Sequence, residues 1–236
     1  ARVLLARYLL PRAHAVRVVS HHIKRSIEKI VKPEVSVTIL PIFVDIESIK
    51  NAPIVHDIKK EYPQFTTHFL IASRLSPEKN IPLALEAFCA VVAKYPRAGL
   101  IVVGDGPEEA WLQSLVQAHN ISRNVVFIPW QNGLASSMKT VDAFLLTSNY
   151  EGYGMTIVEA LAVGCPVIAT DVGCAKEVIE DGVNGFVIQV GDVTGLTKAL
   201  EAVLSREIKF KIKLPTLLTK AEYLIAYKKS WEDALR

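Results

Sequence analysis

Cysteine is scarce in this sequence: Cys89, Cys165 and Cys174 are the only three, and no two of them form a Cys-x-x-Cys pair. An odd number of cysteines argues against a disulfide framework, and no pair of histidines lies near them to complete a zinc site. The sequence therefore predicts a protein of the reducing cytoplasm without a structural zinc ion.

Long apolar runs and a strong charge of one sign are also missing. Arg2, Arg7 and Arg12 interrupt the first apolar stretch, which argues against a membrane span, and nothing there resembles a signal peptide. The net charge is only +3 without a basic stripe, so nucleic acid is not an expected partner. Because Ala1 rather than Met stands first, we keep open that the sequence is a piece of a longer protein.

Between Phe65 and Leu204, short apolar runs alternate with stretches of helical periodicity. Runs that are apolar throughout are typical of a parallel sheet covered on both faces. The pattern predicts an α/β fold, a doubly wound Rossmann-like sheet with its ligand beyond the carboxyl ends of the strands. Strands are predicted at 68–73, 100–103, 125–128, 143–147, 167–170 and 185–189, and helices at 83–92, 108–118, 157–163, 175–179 and 193–204.

The two ends of the chain have a different pattern. A strand (15–20), a basic helix (21–30) and a strand (35–40) are predicted first; a strand-like stretch (208–214) and a helix (220–235) are predicted last. An aromatic stripe on that last helix is assigned to packing. The four expected parts are the remnant of a preceding domain (1–41), an interdomain linker (42–64), the Rossmann-like domain (65–204), and a C-terminal return segment and helix (205–236).

The densest group of glycines and polar residues lies in residues 148–160, with the sequence SNYEGYGMTIVEA. This segment leaves a predicted strand, turns through two glycines and enters a helix. Glycines let the backbone approach a ligand closely, and a helix start offers free N–H groups and the positive end of the dipole. The segment, which includes Gly152, Tyr153, Gly154, Met155 and Thr156, therefore has the outline of a phosphate site.

Two carboxylates flank this turn. Glu151 precedes the helix and Glu159 is expected in its first turn, so both can face one crevice. A carboxylate only accepts hydrogen bonds, and the hydroxyls of a sugar or a ribose are natural donors to it. Thr156-x-x-Glu159 also fits a capping box, which needs no ligand, so both interpretations of Glu159 stay open. Glu151 lies on an exposed Gly-x-Gly turn, which favours a functional role.

A second charged cluster, residues 74–80 (RLSPEKN), follows the first strand of the alternating part. Arg74, through its planar fork, and Lys79, as a point charge, could neutralise a diphosphate. By itself the cluster fits an ordinary surface loop equally well, with Glu78 paired to either cation. Only its combination with the other segments makes it a candidate site.

Two further strand ends lie on the same predicted side. Residues 104–107 (GDGP) form a tight turn that is not the G-x-G-x-x-G of dinucleotide sites, so a nicotinamide cofactor is not expected. Gly104 is either a geometric requirement of this turn or a ligand contact. Trp130 ends another strand, where it either packs or borders a base.

In this order, these segments resemble the donor-binding domain of GT-B glycosyltransferases of family 4, the glycosyl transferases group 1 family. Glu151 and Glu159 match the family's Glu-x7-Glu element, and the similarity extends from about Phe69 to Leu200. The matching segments are 74–80 (RLSPEKN), 104–107 (GDGP), 151–154 (EGYG) with Glu159-Ala160, 164–170 (GCPVIAT) with Val172-Gly173, and 181–185 (DGVNG).

The resemblance implies a role for each candidate residue. Arg74 and Lys79 would hold the donor's diphosphate and stabilise the leaving nucleotide, and Glu151 would position the transferred sugar. A retaining transfer by front-face displacement, without a metal cofactor, is implied, since fixed cations can stabilise the leaving group. The other implied contacts are the backbone of Gly152 to Thr156 at the phosphate and sugar, Glu159 at the ribose, and Pro129 and Trp130 at the base.

The donor implied by the resemblance is a UDP- or GDP-sugar, as in enzymes of carbohydrate or glycolipid biosynthesis. The acceptor stays open among a saccharide, a lipid and a small metabolite. A cytoplasmic protein is expected, and a lipid acceptor would bring it to the cytosolic face of a membrane in peripheral contact.

Two positions depart from the family pattern: Ser73 stands where the family has Gly, and Cys174-Ala175 replaces a Gly-rich continuation. The family's acceptor-binding domain would precede this one, and only its last piece, residues 15–40, is expected here. The main alternative is a donor-binding module without activity of its own. The Glu-x7-Glu element argues against a nucleotide-sugar epimerase, and the missing glycine fingerprint against a nicotinamide-dependent oxidoreductase.

Overall fold

The N-terminal part of the chain is a small strand–helix–strand unit that follows a short helix. β1 and β2 pair in parallel, as expected for two strands joined by a helix. The first helix was not predicted, because arginines interrupt its apolar pattern. The elements are α1 (Arg2–Leu9), β1 (Ala15–Val18), α2 (His21–Ile27) and β2 (Ser36–Ile39). The structure is a computed structural model, and it describes the backbone of residues 2–212, 214 and 217–234.

A connection with two short helices, α3 (Ile46–Asn51) and α4 (Ile58–Glu61), leads to the main sheet. Asp45 and Asp57 precede them, and each side chain accepts a hydrogen bond from the backbone N–H three residues further on. An aspartate at this position is a usual start signal for a helix. The sequence therefore contained a local sign of both helices, although the stretch was expected to be irregular.

The main sheet has six parallel strands in the order β5-β4-β3-β6-β7-β8, which confirms the predicted doubly wound α/β fold. β3 lies in the middle, and all six of its residues and all six of β4 are buried. The strands are β3 (Thr67–Ala72), β4 (Ala98–Val103), β5 (Val125–Ile128), β6 (Ala143–Leu146), β7 (Val167–Thr170) and β8 (Gly185–Ile188).

Helices cover both faces of this sheet. Because side chains alternate along a strand, Phe69 and Ile71 of β3 belong to one core cluster and Leu70 and Ala72 to the other. The first cluster contains α5, α6 and α10, and the second contains α8 and α9. The helices are α5 (Ile81–Val92), α6 (Glu109–Ala118), α7 (Leu134–Lys139), α8 (Met155–Ala162), α9 (Ala175–Val178), α10 (Val193–Leu204) and α11 (Lys220–Ala234).

One prediction outside the main sheet needs correction, and one short helix was not predicted. The strand expected over 208–214 does not form at the described residues of that range, and Lys213 lies outside them. α7 was not predicted, because six residues are too few for a periodic pattern. It is held by tertiary contacts: the hydroxyl of Ser136 accepts from the N–H groups of Val55 and His56 and donates to the carbonyl of His56. The last helix was expected to reach Leu235, which lies outside the described residues; α11 extends as far as Ala234.

A half-buried carboxylate joins the linker to the sheet at the end opposite the strand carboxyl termini. Asp142 accepts a hydrogen bond from Nζ of Lys59 at 2.7 Å and one from the backbone N–H of His68 at 2.8 Å. Burial tends to raise the pKa of Asp142, but the hydrogen bonds from His68 and Lys59 outweigh it and lower that pKa to about 2. The carboxylate therefore stabilises the fold in its charged form.

We expect Asp142→Asn to lower the free energy of unfolding by about 2 kcal/mol at pH 7. This stabilisation is present above the unfolded-state pKa of about 3.9, and it is lost as the pH falls toward the folded-state value. Urea unfolding at pH 7 and near pH 2 checks this: the difference from wild type should shrink in acid. Asp233→Asn, at an exposed position on α11, is the control. A difference that does not change with pH would contradict the assignment.

Candidate functional site

The strand order reverses beside β3, because β4 lies on one side of it and β6 on the other. Ligands of doubly wound sheets bind in the crevice that opens at such a switch point, outside the strand carboxyl ends. A cleft of about 440 Å³ lies there, between the loops that follow β3 and β6. Of the residues predicted from the sequence, it is lined by Arg74, Lys79, Trp130, Glu151, Tyr153, Gly154, Met155 and Thr156.

An ion pair crosses the cleft. Nζ of Lys79 lies 2.7 Å from Oε1 of Glu151, and the two side chains are 22% and 16% exposed. The surface-loop interpretation paired the cations with Glu78, but the ion pair that Lys79 forms among the described residues is with Glu151. Two segments 72 residues apart in the sequence therefore bring opposite charges together at the switch point.

The two loops are also joined by neutral hydrogen bonds. The backbone N–H of Asn149 donates to the carbonyl of Glu78 at 2.8 Å, and Nδ2 of Asn80 donates to Oδ1 of Asn149 at 3.0 Å. The hydroxyl of Thr147 donates to the carbonyl of Lys79 at 3.0 Å. Sequence reasoning did not assign these contacts. The polar residues that follow the buried apolar residues of β6 were the sequence signal for contacts at this strand end.

Arg74 is exposed and lines the cleft, and it forms no ion pair with any residue that the structure describes. Its positive charge is therefore available to an anion in the cleft. The departure at the preceding position is accommodated, because the hydroxyl of Ser73 donates to the carbonyl of Arg74 at 3.3 Å.

Gly104 does not line the cleft but supports the loop that carries Arg74. A Cβ atom at Gly104, whose φ is +148°, would lie 1.9 Å from the carbonyl oxygen of Ser73. Glycine is thus required there by the close approach of two backbones. A direct contact between Gly104 and a ligand stays a prediction.

The turn at Gly152 to Gly154 leads into α8, which begins at Met155 with Gly154 at φ +90° as its N-cap. The first N–H groups of a helix have no partner within it, and the first two residues of α8, Met155 and Thr156, line the cleft. Tyr153 is only 4% exposed, and burial raises the pKa of its phenol. Gly152 does not line the cleft; its carbonyl accepts a hydrogen bond from Ser20 at 3.5 Å.

The backbone of this turn packs against Gly173 and Cys174, and Cys174 belongs to the second departure from the family pattern. The N–H of Cys174 donates to the carbonyl of Tyr153 at 2.7 Å. A Cβ atom at Gly173 would lie 2.2 Å from the same carbonyl oxygen. The Gly173–Cys174 pair therefore keeps the close packing that this position needs, and the buried thiol, whose pKa burial raises to about 12, is not a reactive group.

Glu159 is not where the sequence predicted it. α8 begins two residues earlier than expected, so Glu159 lies in the second turn, and Thr156 is inside the helix rather than at its N-cap. The capping-box interpretation is therefore wrong. Glu159 is half-buried, burial raises its pKa, and its carboxylate accepts no hydrogen bond from the described residues. Glu159 is not among the residues that line the cleft, so its contact with a ligand stays a prediction.

Trp130 follows β5 and borders the cleft with a side chain that is 52% exposed. Its backbone N–H donates to Oδ2 of Asp105 at 3.0 Å, which joins the loops after β4 and β5. The exposed ring offers a flat apolar surface at the edge of the cleft.

The described residues contain neither a metal-ion cluster nor a helix suited to span a membrane. No group of three or more His, Cys, Asp or Glu side chains in that part of the chain is placed to hold a metal ion. Among the same residues, no helix combines the length and the apolar character needed to cross a membrane.

Comparisons with known proteins agree with this geometry. The family model described as "Glycosyl transferases group 1" matches residues 56–225. The chain is 30% identical over 207 residues to N-acetyl-alpha-D-glucosaminyl L-malate synthase of Bacillus anthracis, which covers 86% of this chain and 54% of that protein. It is 29% identical over 173 residues to phosphatidyl-myo-inositol mannosyltransferase of Mycobacterium leprae, covering 72% and 44%. The chain thus spans about half the length of these curated relatives.

Solved structures share the fold. Anabaena HepE, in a complex with UDP and glucose, superposes with a TM-score of 0.75 at 23% identity, covering 99% of this chain and 62% of that one. Sucrose-phosphate synthase from Thermosynechococcus elongatus superposes with a TM-score of 0.74 at 20% identity, covering 99% and 56%. The sheet order, the cleft at its switch point and the family match together confirm the resemblance. The chain belongs to the glycosyl transferases group 1 family, and its fold is that of one half of a GT-B glycosyltransferase.

Proposed function

We propose that the chain is the donor-binding part of a retaining glycosyltransferase and that its cleft holds a nucleotide diphosphate sugar. The observation that carries this proposal is the convergence of Arg74, Lys79 and Glu151 with the N-terminus of α8 at the switch point. Two cations at the cleft and a helix start suit a diphosphate, and a carboxylate suits the hydroxyls of a sugar. The UDP and glucose named with the Anabaena structure support a donor of this class.

In this proposal the diphosphate lies between the start of α8 and the side chains of Arg74 and Lys79. As the bond between the sugar C1 and the phosphate oxygen breaks, negative charge grows on the diphosphate. Cations already in place stabilise that charge without a metal ion. In a front-face displacement, the acceptor oxygen attacks C1 from the side that the diphosphate leaves, and its proton passes to the departing phosphate oxygen.

Glu151 is proposed to hold the transferred sugar through its second carboxylate oxygen, since Oε1 already accepts two hydrogen bonds within the protein. Trp130 is proposed to border the base, and Glu159 to accept from the ribose. Gly152 to Thr156 would supply backbone contacts to phosphate and sugar.

The acceptor stays open among a saccharide, a lipid and a small metabolite. The two curated relatives are named for L-malate and for phosphatidyl-myo-inositol, which are chemically unlike. A lipid acceptor would bring the protein into peripheral contact with the cytosolic face of a membrane.

A second candidate function is a donor-binding module that does not transfer sugar alone. It is favoured by one observation, the coverage of about half of each curated relative. Catalysis needs donor and acceptor held at reacting distance, and a chain that lacks an acceptor wall would bind the donor without turnover. Measuring donor binding and sugar transfer on the same preparation distinguishes the two functions.

A thermal-shift screen of UDP, GDP and ADP with their glucose and mannose derivatives tests the proposed donor class. A ligand that binds the native state raises its stability by an amount that grows with the ligand concentration relative to Kd, so one nucleotide series should raise the melting temperature. The control is the same screen on Arg74→Ala, in which the shift should be smaller. If no nucleotide shifts the wild-type melting temperature, the proposal is wrong.

Glu159→Gln should leave the free energy of unfolding nearly unchanged, because Glu159 neither caps α8 nor pairs with a described residue. Nucleotide binding should weaken, since Gln loses the charge and part of the accepting capacity. Calorimetry with a ribonucleotide and its 2′-deoxy form measures this, and the deoxy penalty should shrink in the variant. Glu86→Gln, at an exposed position on α5, is the control. An equal deoxy penalty in wild type and Glu159→Gln would remove Glu159 from the ribose site.

A further inference from the structure

A buried hydroxyl contacts the carboxylate that we assign to the sugar. Ser148 lies two residues after the end of β6, lines the cleft and is only 2% exposed. Its Oγ donates to Oε1 of Glu151 at 2.7 Å. The same oxygen accepts from Nζ of Lys79 at 2.7 Å, whereas Oε2 accepts no hydrogen bond from the residues that the structure describes. One carboxylate oxygen is therefore fully engaged within the protein and the other is free.

The backbone of Ser148 is itself fixed by the sheet. The hydroxyl of Thr170, the last residue of β7, donates to the carbonyl of Ser148 at 2.6 Å and to that of Leu146 at 3.3 Å. Thr170 is 2% exposed, so these contacts lie inside the core rather than in the cleft. The position of the Ser148 hydroxyl therefore depends on the fold and not on what the cleft contains.

Lys79 and Ser148, the two donors to Oε1 of Glu151, should respond differently to a bound diphosphate. Lys79 has a long flexible side chain and a mobile charge, which a diphosphate would attract. Ser148 has a short neutral side chain on an anchored backbone, and nothing draws it away. When Lys79 turns toward the diphosphate, the hydroxyl of Ser148 is the remaining hydrogen-bond donor to the Glu151 carboxylate among the described residues. The side chain of Glu151 is only 16% exposed.

We infer that Ser148 is a positioning residue, which keeps the carboxylate of Glu151 aimed at the transferred sugar while Lys79 holds the diphosphate. The inference rests on the proposed function. In the proposed function Glu151 contacts the sugar and not the nucleotide. Loss of the Ser148 hydroxyl should therefore reduce the affinity that the sugar adds, while the affinity for the nucleotide alone stays unchanged.

The test compares the affinities of UDP and UDP-glucose for the 236-residue chain by calorimetry. Ser148→Ala should lower the preference for UDP-glucose over UDP by about tenfold, the size of one hydrogen bond to a charged group, with UDP affinity unchanged. Ser137→Ala is the matched control, since Ser137 is 0% exposed, lies on α7 and does not line the cleft. It should leave both affinities as they are.

A double-variant cycle separates positioning from a general loss of packing. In a Glu151→Ala background, Ser148→Ala should no longer change the ratio of the two affinities, because the group that it positions is gone. Thr170→Val removes the hydroxyl that anchors the backbone of Ser148 but keeps the Ser148 hydroxyl itself. It should lower the ratio of the two affinities less than Ser148→Ala does, and it replaces Ser148→Ala in the test if that variant does not fold.

Two results would overturn the inference. An unchanged ratio in Ser148→Ala, with both ligands still bound, would remove Ser148 from the sugar site and leave the proposed function standing. If the wild-type chain binds only the GDP series, the same ratio is measured with GDP and GDP-mannose. Failure of the wild-type chain to bind any UDP- or GDP-sugar would contradict the proposed function, and the inference with it.

Discussion

Lys79→Ala is expected to weaken binding of the nucleotide diphosphate by about 2–3 kcal/mol, or roughly 30- to 150-fold. The variant loses a charged hydrogen-bond donor to the phosphates. It also leaves the carboxylate of Glu151, 16% exposed, without its cation beside an anionic ligand. Arg74→Ala should cost less, about 1.5–2 kcal/mol, because Arg74 is exposed and pairs with no described residue. Calorimetric titration with UDP and GDP measures both variants.

Lys176→Ala is the control for this prediction. Lys176 also pairs with a carboxylate, that of Asp171, but it is 53% exposed and lies outside the cleft. Such a pair contributes little, so nucleotide affinity and stability should hardly change. In the double variant Lys79→Ala/Glu151→Ala, part of the lost affinity should return because the uncompensated charge is gone. Unchanged affinity in Lys79→Ala and Arg74→Ala would make residues 74–80 an ordinary surface loop.

The largest effect on stability is expected at Gly104, with Gly164 as its control. Both glycines have a positive φ, +148° and +84°, but only Gly104 has backbone where a Cβ atom would go: the carbonyl oxygen of Ser73 at 1.9 Å. We expect Gly104→Ala to lower the free energy of unfolding by about 3 kcal/mol and Gly164→Ala by about 1 kcal/mol. Urea unfolding measures the difference.

The same clash links Gly104 to the cleft. Ser73 immediately precedes Arg74, so a backbone shift at Ser73 should displace the guanidinium. At a temperature where Gly104→Ala is folded, its nucleotide affinity should be lower than that of Gly164→Ala. If the two variants lose equal stability, the close approach of the β3 and β4 loops is not the reason for glycine at 104.

The main sheet could be predicted because its signal is local. β4 and the last four residues of β3 are apolar throughout, which is typical of strands buried on both faces, and Pro96 marks the break between α5 and β4. α7 gave no such signal, since its fold depends on Ser136 holding the backbone of a segment 80 residues earlier. The stretch 208–214 alternates like a strand, but the six-stranded sheet is complete without it.

The candidate site was predicted in its parts but not in its contacts. Arg74, Lys79 and Glu151 were assigned from charge, position at strand ends and family resemblance, and the structure brings them to one cleft. The pairing of Lys79 with Glu151 could not be predicted, because it depends on the order of β3 and β6 in the sheet. The start of α8 was misplaced by two residues, since Gly154 can cap a helix without a side chain, and this removed the capping box of Glu159.

Titration of the purified chain with UDP-sugars and GDP-sugars, once in chelator and once with Mg²⁺, tests the proposed donor site most directly. Because Arg74 and Lys79 supply the positive charge, we predict that one nucleotide sugar binds in chelator, with an affinity that Mg²⁺ does not raise and that salt lowers. Binding that disappears in chelator and returns with Mg²⁺ would contradict the charge assignment. Absence of binding under both conditions would contradict the donor site itself.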